Sequence, residues 1–293
     1  GNTPCSSRIG FRINPQVGSG DIAAMSTATE TSKFGVALED DGNRTALIDA
    51  YRENRWLTTL HTHVGSQGCS LELMAAGIRR VVDLAEEIQS ECGRQCVELI
   101  DIGGGLPVNF ESDEVRPTFS EYSALLQERV PELFDGKYRV KTEFGRSVLA
   151  KNGFIAARVE YTKTSGGRRI ALTHAGAQVA TRTVFMPDQW KIRVSVHDPA
   201  GNARTGGECR QDIGGPLCFA GDLVARDRML PKIEPGDFVV LHDTGAYYFS
   251  NPFYYNALPA PAVYGAGRGV DGNVEFQVWR QQQTVDDMLA VFG

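Results

Sequence analysis

Apolar and polar residues alternate with a period of two along residues 8–15, Arg-Ile-Gly-Phe-Arg-Ile-Asn-Pro, and the run closes on Asn-Pro. That pattern predicts a β-strand ended by a turn. Residues 46–53 read as a helix and residues 57–64 as a second strand. Between residues 71 and 91, Leu73, Ile78, Val81, Val82, Leu84, Ala85 and Ile88 recur at helical spacing, which predicts a long amphipathic helix. Strand, helix and strand follow at 97–102, 119–130 and 138–144. Polar and glycine-rich residues fall where the strands end: His63-Val-Gly-Ser66-Gln, Asp101-Ile-Gly-Gly-Gly105 and Glu143-Phe-Gly-Arg146. This is the layout of a parallel β/α domain, whose ligands bind on loops beyond the strand C-termini. About four strands are visible. They make either a small open sheet or the second half of a barrel that needs eight.

From about residue 153 the pattern changes. Residues 154–162, 169–173, 190–196, 238–241 and 274–279 are strand-like, with Gly, Pro and Asp turns between them, and helical spacing returns only at 284–291. This predicts a separate, mostly antiparallel β domain with a short C-terminal helix. The expected division is 1–152, 153–283 and 284–293.

Composition narrows the function classes. A hydrophobic share of 42% and a charged share of 23% are globular values that support a sizeable core. The net charge is −6 with no dominant basic patch, so nucleic acid is not an expected partner. No apolar run approaches the roughly 18 residues of a membrane span, and a cytoplasmic protein is expected. Cys92 and Cys96 are the one close pair of cysteines. They lack a second Cys/His pair at zinc spacing, so reduced thiols and no metal are expected.

Several residues are candidates for chemistry. Gly103, Gly104 and Gly105 follow an apolar strand and read either as a tight turn or as a nest of N–H groups for an anion such as phosphate. Glu143 and Arg146 read as a surface ion pair or as site residues. Cys218 reads as a small buried apolar group or as a reactive thiol. His61 and His63 share one strand face, with no third metal ligand in view.

Taken in order, His63-Val-Gly-Ser66, Asp101-Ile-Gly-Gly-Gly105, Glu143-Phe-Gly-Arg146, Cys218-Phe-Ala-Gly-Asp222 and Gly245-Ala-Tyr247 resemble the fold-type III pyridoxal-phosphate decarboxylases. This is the diaminopimelate/ornithine/arginine decarboxylase family. Arg12-Ile-Asn-Pro15 and Ser32-Lys-Phe-Gly35 are similar to its diaminopimelate branch. The resemblance covers nearly the whole chain. It implies the C-terminal half of a pyridoxal-phosphate-binding (β/α)8 barrel followed by a mostly antiparallel β domain, and an enzyme that decarboxylates an amino acid with pyridoxal 5'-phosphate. It also implies a homodimer with shared active sites, Cys218 and Asp222 coming from the partner subunit. Ser66, Gly103, Gly104, Gly105, Arg146 and Tyr247 would hold the cofactor phosphate, and His63 would lie over the ring. Glu143 would pair with the ring nitrogen, and Cys218 would protonate the carbanionic intermediate. Arg182 is a candidate for a substrate carboxylate, with Asp222 also on the substrate side.

The departures from that pattern are informative. The family's Schiff-base lysine lies in an early barrel strand, and none of the lysines here matches its position. An N-terminal segment on the order of 100–200 residues, the span of half a barrel and a leading strand, is expected to carry it. At the substrate end, Phe219 stands where the diaminopimelate branch has an acidic residue. Tyr255-Asn256-Ala257-Leu258 replaces Tyr-Asn-x-Arg, and Val263 lies where a Glu is usual. Phe144 replaces the usual Pro. Charged groups have become apolar, so diaminopimelate itself is not the expected substrate. A less polar, bulkier or carrier-bound amino acid fits better, since an unpaired charge is costly in such a pocket. The alternatives are a non-catalytic relative that binds a partner or ligand, an alanine-racemase-like enzyme, and a barrel enzyme for a sugar phosphate.

Overall fold

The computed structural model describes residues 8–22 and 25–293. The chain divides into two compact units, Gly1–Ala150 and Lys151–Gly293.

The first unit is built on a parallel five-stranded sheet of β1 (Ile9–Asn14), β2 (Val36–Ala37), β3 (Leu57–His61), β4 (Leu99–Asp101) and β5 (Arg139–Lys141). The strand order is β2-β1-β3-β4-β5. Apart from the two-residue β2, which no periodicity announces, the strands lie side by side in chain order, as consecutive strands of a (β/α)8 barrel do. The helices are α1 (Asn43–Glu53), α2 (Leu71–Cys92), α3 (Phe119–Arg129) and the single turn α4 (Arg146–Leu149). Helix α2 starts where Ser70 Oγ accepts the Leu73 N–H at 3.1 Å and stops at Gly93, at φ 60°. Its apolar stripe, Met74, Ile78, Val81, Leu84, Ala85 and Ile88, is fully buried in one core with Leu57, Leu60 and Ile100 of the sheet. Each large side chain buried there stabilises the fold by about 2 kcal/mol. Thr118 and Glu121 form a reciprocal capping box that starts α3. The stripe and caps place every β-to-α loop at one sheet edge, where the polar motifs sit.

The second unit holds a six-stranded sheet of order β10-β9-β7-β6-β11-β8. Its strands are β6 (Ile155–Ser165), β7 (Arg168–Thr173), β8 (Val194–His197), β9 (Glu208–Gly214), β10 (Leu223–Pro231) and β11 (Phe238–Leu241). All pairings are antiparallel except β7 with β9. The β6–β7 hairpin turns on Gly166 and Gly167, at φ 57° and 78°, the left-handed pair that a tight hairpin requires. A separate hairpin joins β12 (Val263–Arg268) to β13 (Val274–Arg280), and α6 (Val285–Phe292) follows.

Three strands and one helix of this unit escape the periodicity. Strand β9, Glu-Cys-Arg-Gln-Asp-Ile-Gly, shows no alternation because two of its buried residues, Gln211 and Asp212, are polar. Gln211 is fully buried, donating to the carbonyls of Leu230 and Pro231 and accepting the Ile233 N–H. Strands β10 and β12 are likewise absent from the pattern. Helix α5 (Ala177–Phe185) has nine residues, mixes β-branched side chains and kinks at Ala180. Residues 190–196, expected as strand, are strand only from Val194. The Trp190 N–H instead donates to the Met186 carbonyl at 2.9 Å, extending the turn after α5. No helix among the described residues is long and apolar enough to cross a membrane.

Candidate functional site

In the first unit, the glycine loop after β4 is fixed by close backbone packing. Gly103 and Gly105 adopt φ 69° and 96°. A Cβ at Gly105 would run into the Gly65 carbonyl oxygen, and one at Gly104 would run into that of Glu143. Only glycine satisfies both demands. Two of the three N–H groups expected to face an anion are already used. The Gly103 N–H donates to Asp101 Oδ1 and the Gly104 N–H to His63 Nδ1, each at 3.0 Å. The donors left to a ligand are therefore fewer than the sequence suggests. The Gly105 N–H and the Ser66 hydroxyl have no hydrogen-bond partner among the described residues.

His63 accepts at Nδ1, which places its proton on Nε2. Burial depresses its pKa below the ordinary histidine value, as does nearby Arg12. A neutral, pinned imidazole results. Glu143 is tied into the same frame through its backbone, its N–H donating to the Gly103 carbonyl at 2.8 Å. Its carboxylate is half-exposed, 3.5 Å from His61 Nε2 and 3.8 Å from Lys141 Nζ. Arg146, 5% exposed, opens α4 three residues on. Phe144 packs its ring on Phe119 and Tyr122 of α3 at centroid distances of 5.0 and 6.2 Å, so helix contacts hold this turn. His63, Ser66, the three glycines and Glu143 thus lie on loops following β3, β4 and β5, and Arg146 at the start of the helix after β5.

His61, Asp101 and Glu143 bring three ligand-type atoms within 4.8 Å of one another. They are not read as a metal centre, because the ammonium of Lys141 already lies between the two carboxylates, 2.9 Å from Asp101 Oδ2.

The second unit carries the other expected site residues. Cys218 is exposed. Its N–H donates to Asn256 Oδ1 at 3.0 Å, and its Sγ lies 3.1 Å from Asn256 Nδ2 and 3.9 Å from the Tyr255 hydroxyl. Donation first from Asn256 and then from Tyr255 lowers the thiol pKa. Cys218 is therefore not the buried apolar residue of the simpler reading. Asn256 and Ala257 take φ 60° and 51°, which turns the Asn256 amide onto the cysteine. The signal for Asn256 and Tyr255 was present in the Tyr-Asn pair, but no spacing linked residues 37 and 38 positions away to Cys218. Replacing Asn256 by alanine removes a donor to the thiolate and raises the pKa. Iodoacetamide alkylation of Cys218 is therefore expected to slow near neutral pH and to converge with the parent rate at high pH. An unchanged rate across the pH range would refute this role.

Asp222, expected on the substrate side, has another task. It is 4% exposed, and its two oxygens accept the N–H groups of Ala177 and Leu217 at 2.7 and 2.8 Å. Its carboxylate is spent on the backbone and ties the Cys218 loop to the start of α5. Arg182 lies on α5 with its guanidinium 5.2 Å from the Trp190 ring and 5.1 Å from that of Tyr247. Its Nη1 is buried without a hydrogen-bond partner among the described residues. Tyr247 adopts φ 66°. Beside Cys218, Phe219 stacks on Phe185 (5.6 Å, 7°). Phe253 and Tyr255 complete a four-ring cluster.

Comparison with known proteins agrees with this arrangement. The chain is 29% identical over 291 residues to the diaminopimelate decarboxylase of Methanothermobacter thermautotrophicus, covering 96% of this chain and 64% of that protein. It is 30% identical to that of Pseudomonas fluorescens, covering 96% and 63%. The structure matches that of M. jannaschii diaminopimelate decarboxylase in co-complex with L-lysine, with a TM-score of 0.81, 25% identity, and coverage of 97% of this chain and 63% of that one. The chain thus spans slightly under two thirds of these relatives' length. The fold is the second half of a (β/α)8 barrel followed by a mostly antiparallel β domain. The relatives' names lend no support to the expectation that diaminopimelate is not the substrate. Residues 2–150 match the family described as pyridoxal-dependent decarboxylase, pyridoxal binding domain, and with half of its length inside that match the chain belongs to the pyridoxal-dependent decarboxylase family.

Proposed function

We propose that the chain forms the cofactor-binding and β-domain portion of a pyridoxal 5'-phosphate-dependent amino-acid decarboxylase. One observation carries the reading: the Glu143 N–H bonded to the Gly103 carbonyl, which locks a carboxylate and a glycine loop into a single rigid frame. A phosphorylated pyridine needs those two groups at its opposite ends. The residues fit the cofactor. The loop excludes every Cβ, the Gly105 N–H and Ser66 hydroxyl are available, and a buried arginine lies alongside.

Pyridoxal phosphate, when bound, supplies an electron sink for the bond-breaking step. Gly105, Ser66 and Arg146 would bind the phosphate. Glu143 holds a proton at the ring nitrogen. The neutral His63 packs on the ring without adding a competing charge. Cys218 would act as the thiol, giving its proton to the substrate α-carbon after the carboxylate is lost, and Asn256 would hold the thiolate that remains. In the homodimer this thiol serves the cofactor of the other copy. Arg182, with an unmatched Nη1, receives a substrate carboxylate. The narrower substrate reading, an amino acid less polar than diaminopimelate, rests on the ring cluster of Phe185, Phe219, Phe253 and Tyr255, which holds no carboxylate to pair with a distal ammonium.

The test is carbon dioxide release by the complete gene product, with and without pyridoxal phosphate, across a panel of amino acids that includes diaminopimelate. Cofactor-dependent release from an apolar or bulky amino acid is expected. Release from none would remove the enzyme reading in favour of a binding-only relative, and preference for diaminopimelate would remove the narrower one.

A further inference from the structure

A charged row crosses the sheet of the first unit one step below the glycine loop. Arg12 on β1 is in register with His61 on β3, His61 with Asp101 on β4, and Asp101 with Lys141 on β5. Register partners on parallel strands point to the same face. The four side chains therefore form one transverse line rather than four separate surface groups. Glu143, two residues beyond Lys141, lies on the same face.

The contacts show how the row works. Asp101 is 4% exposed and is its hub. One carboxylate oxygen accepts the Gly103 N–H at 3.0 Å, and the other accepts Lys141 Nζ at 2.9 Å. The same ammonium reaches Glu143 Oε1 at 3.8 Å, while His61 Nε2 lies 3.5 Å from Glu143 Oε2. Arg12, packed over Phe34 at 4.5 Å, adds its field to Glu143 from the far side. Two carboxylates are thus matched by two fixed cations. The imidazole between them stays neutral because burial lowers its pKa, a shift that Arg12 and Lys141 reinforce against the pull of Asp101 and Glu143.

We propose that this row is the electrostatic support of Glu143, and that Lys141 is the positioning residue that holds the Glu143 carboxylate toward a pyridine ring nitrogen. The proposal rests on the pyridoxal-phosphate reading above. It assigns Lys141 a charge-bearing role and not a covalent one. An amine held by the buried Asp101 has its pKa raised and is kept as the ammonium, which is not a nucleophile.

The role predicts a response that depends on one ring atom. Lys141→Met should weaken equilibrium binding of pyridoxal phosphate to the chain by about tenfold, roughly one charge-assisted contact. It should weaken binding of the 1-deaza analogue, which keeps the phosphate but has carbon in place of the ring nitrogen, by less than about twofold. Lys141→Arg should restore most of the pyridoxal phosphate affinity. Lys141→Met/Asp101→Asn removes the carboxylate left unpaired, and should recover thermal stability without recovering the preference for the nitrogen-bearing ring. Equal weakening for both ligands would mean that Lys141 only braces the loop, and would overturn the proposal. So would a borohydride-stabilised adduct on Lys141. Failure of the unmodified chain to bind pyridoxal phosphate at all would instead overturn the cofactor reading, and this proposal with it.

Discussion

Replacing Glu143 by glutamine is expected to lower turnover on the order of 100-fold, the lower end of what a well-placed acid or base contributes. Affinity for pyridoxal phosphate should fall far less. The two effects separate because of where the group sits. The Glu143 backbone, not its side chain, braces the glycine loop, through the 2.8 Å bond to the Gly103 carbonyl. The amide keeps that bond and nearly the same shape, so the phosphate subsite persists. What is lost is the negative charge that keeps a proton on the ring nitrogen, and with it the electron sink. Steady-state kinetics paired with cofactor titration measures the split. A loss of affinity as large as the loss of turnover would show that Glu143 acts through the loop.

Asp222→Ala is expected to destabilise the second unit by about 2–5 kcal/mol, because it strands two buried N–H groups, those of Ala177 and Leu217. The site cannot relax by collapse. Gly176 and Gly215 already press against the carboxylate so closely that neither tolerates a Cβ. Denaturant titration followed through the buried Trp190 reads the change, and Asp222→Asn, which keeps one acceptor, should lose about half as much. A loss below about 1 kcal/mol, the scale of an ordinary exposed contact, would return Asp222 to the substrate side. With the loop released, the Cys218 N–H and Sγ would also lose their register with Asn256, so alkylation of Cys218 provides an independent view of the same change.

The ring cluster beside Cys218 and the charged row beneath Glu143 bear on different questions. The row concerns the cofactor ring, whichever amino acid is processed. The cluster concerns the amino acid, and there the relatives and the residues point in different directions. The relatives are diaminopimelate decarboxylases. Yet Phe219, stacked on Phe185 and edge-on to Tyr255, is apolar where the resemblance leads one to expect an acidic residue. The substrate panel decides between them.

The residues alone determined the β/α character of the first unit. Helix α2 could be placed within a residue, because amphipathic spacing sustained from residue 71 to 91 leaves one way to bury the stripe. Strands β1, β3, β4 and β5 were legible from their apolar runs, and the glycine loop from a run that few other structures need. What only the tertiary structure decided was the use of each polar group. Gly103 and Gly104 looked like anion donors, but their N–H groups are taken by Asp101, two residues back on the same strand, and by His63, which the neighbouring strand β3 brings alongside. Asp222 looked like a ligand group but is buried against backbone. Strand β9 and helix α5 were hidden because their stability comes from partners distant in the chain, Gln211 on the carbonyls of Leu230 and Pro231 and Asp222 at the Ala177 N–H. The row joins Arg12 to Lys141, far apart in the chain, and exists only through strand register. Hydrophobic burial depends on local periodicity, so it is written along the chain. Polar pairing depends on which donor meets which acceptor, and that is set only when the sheet is assembled.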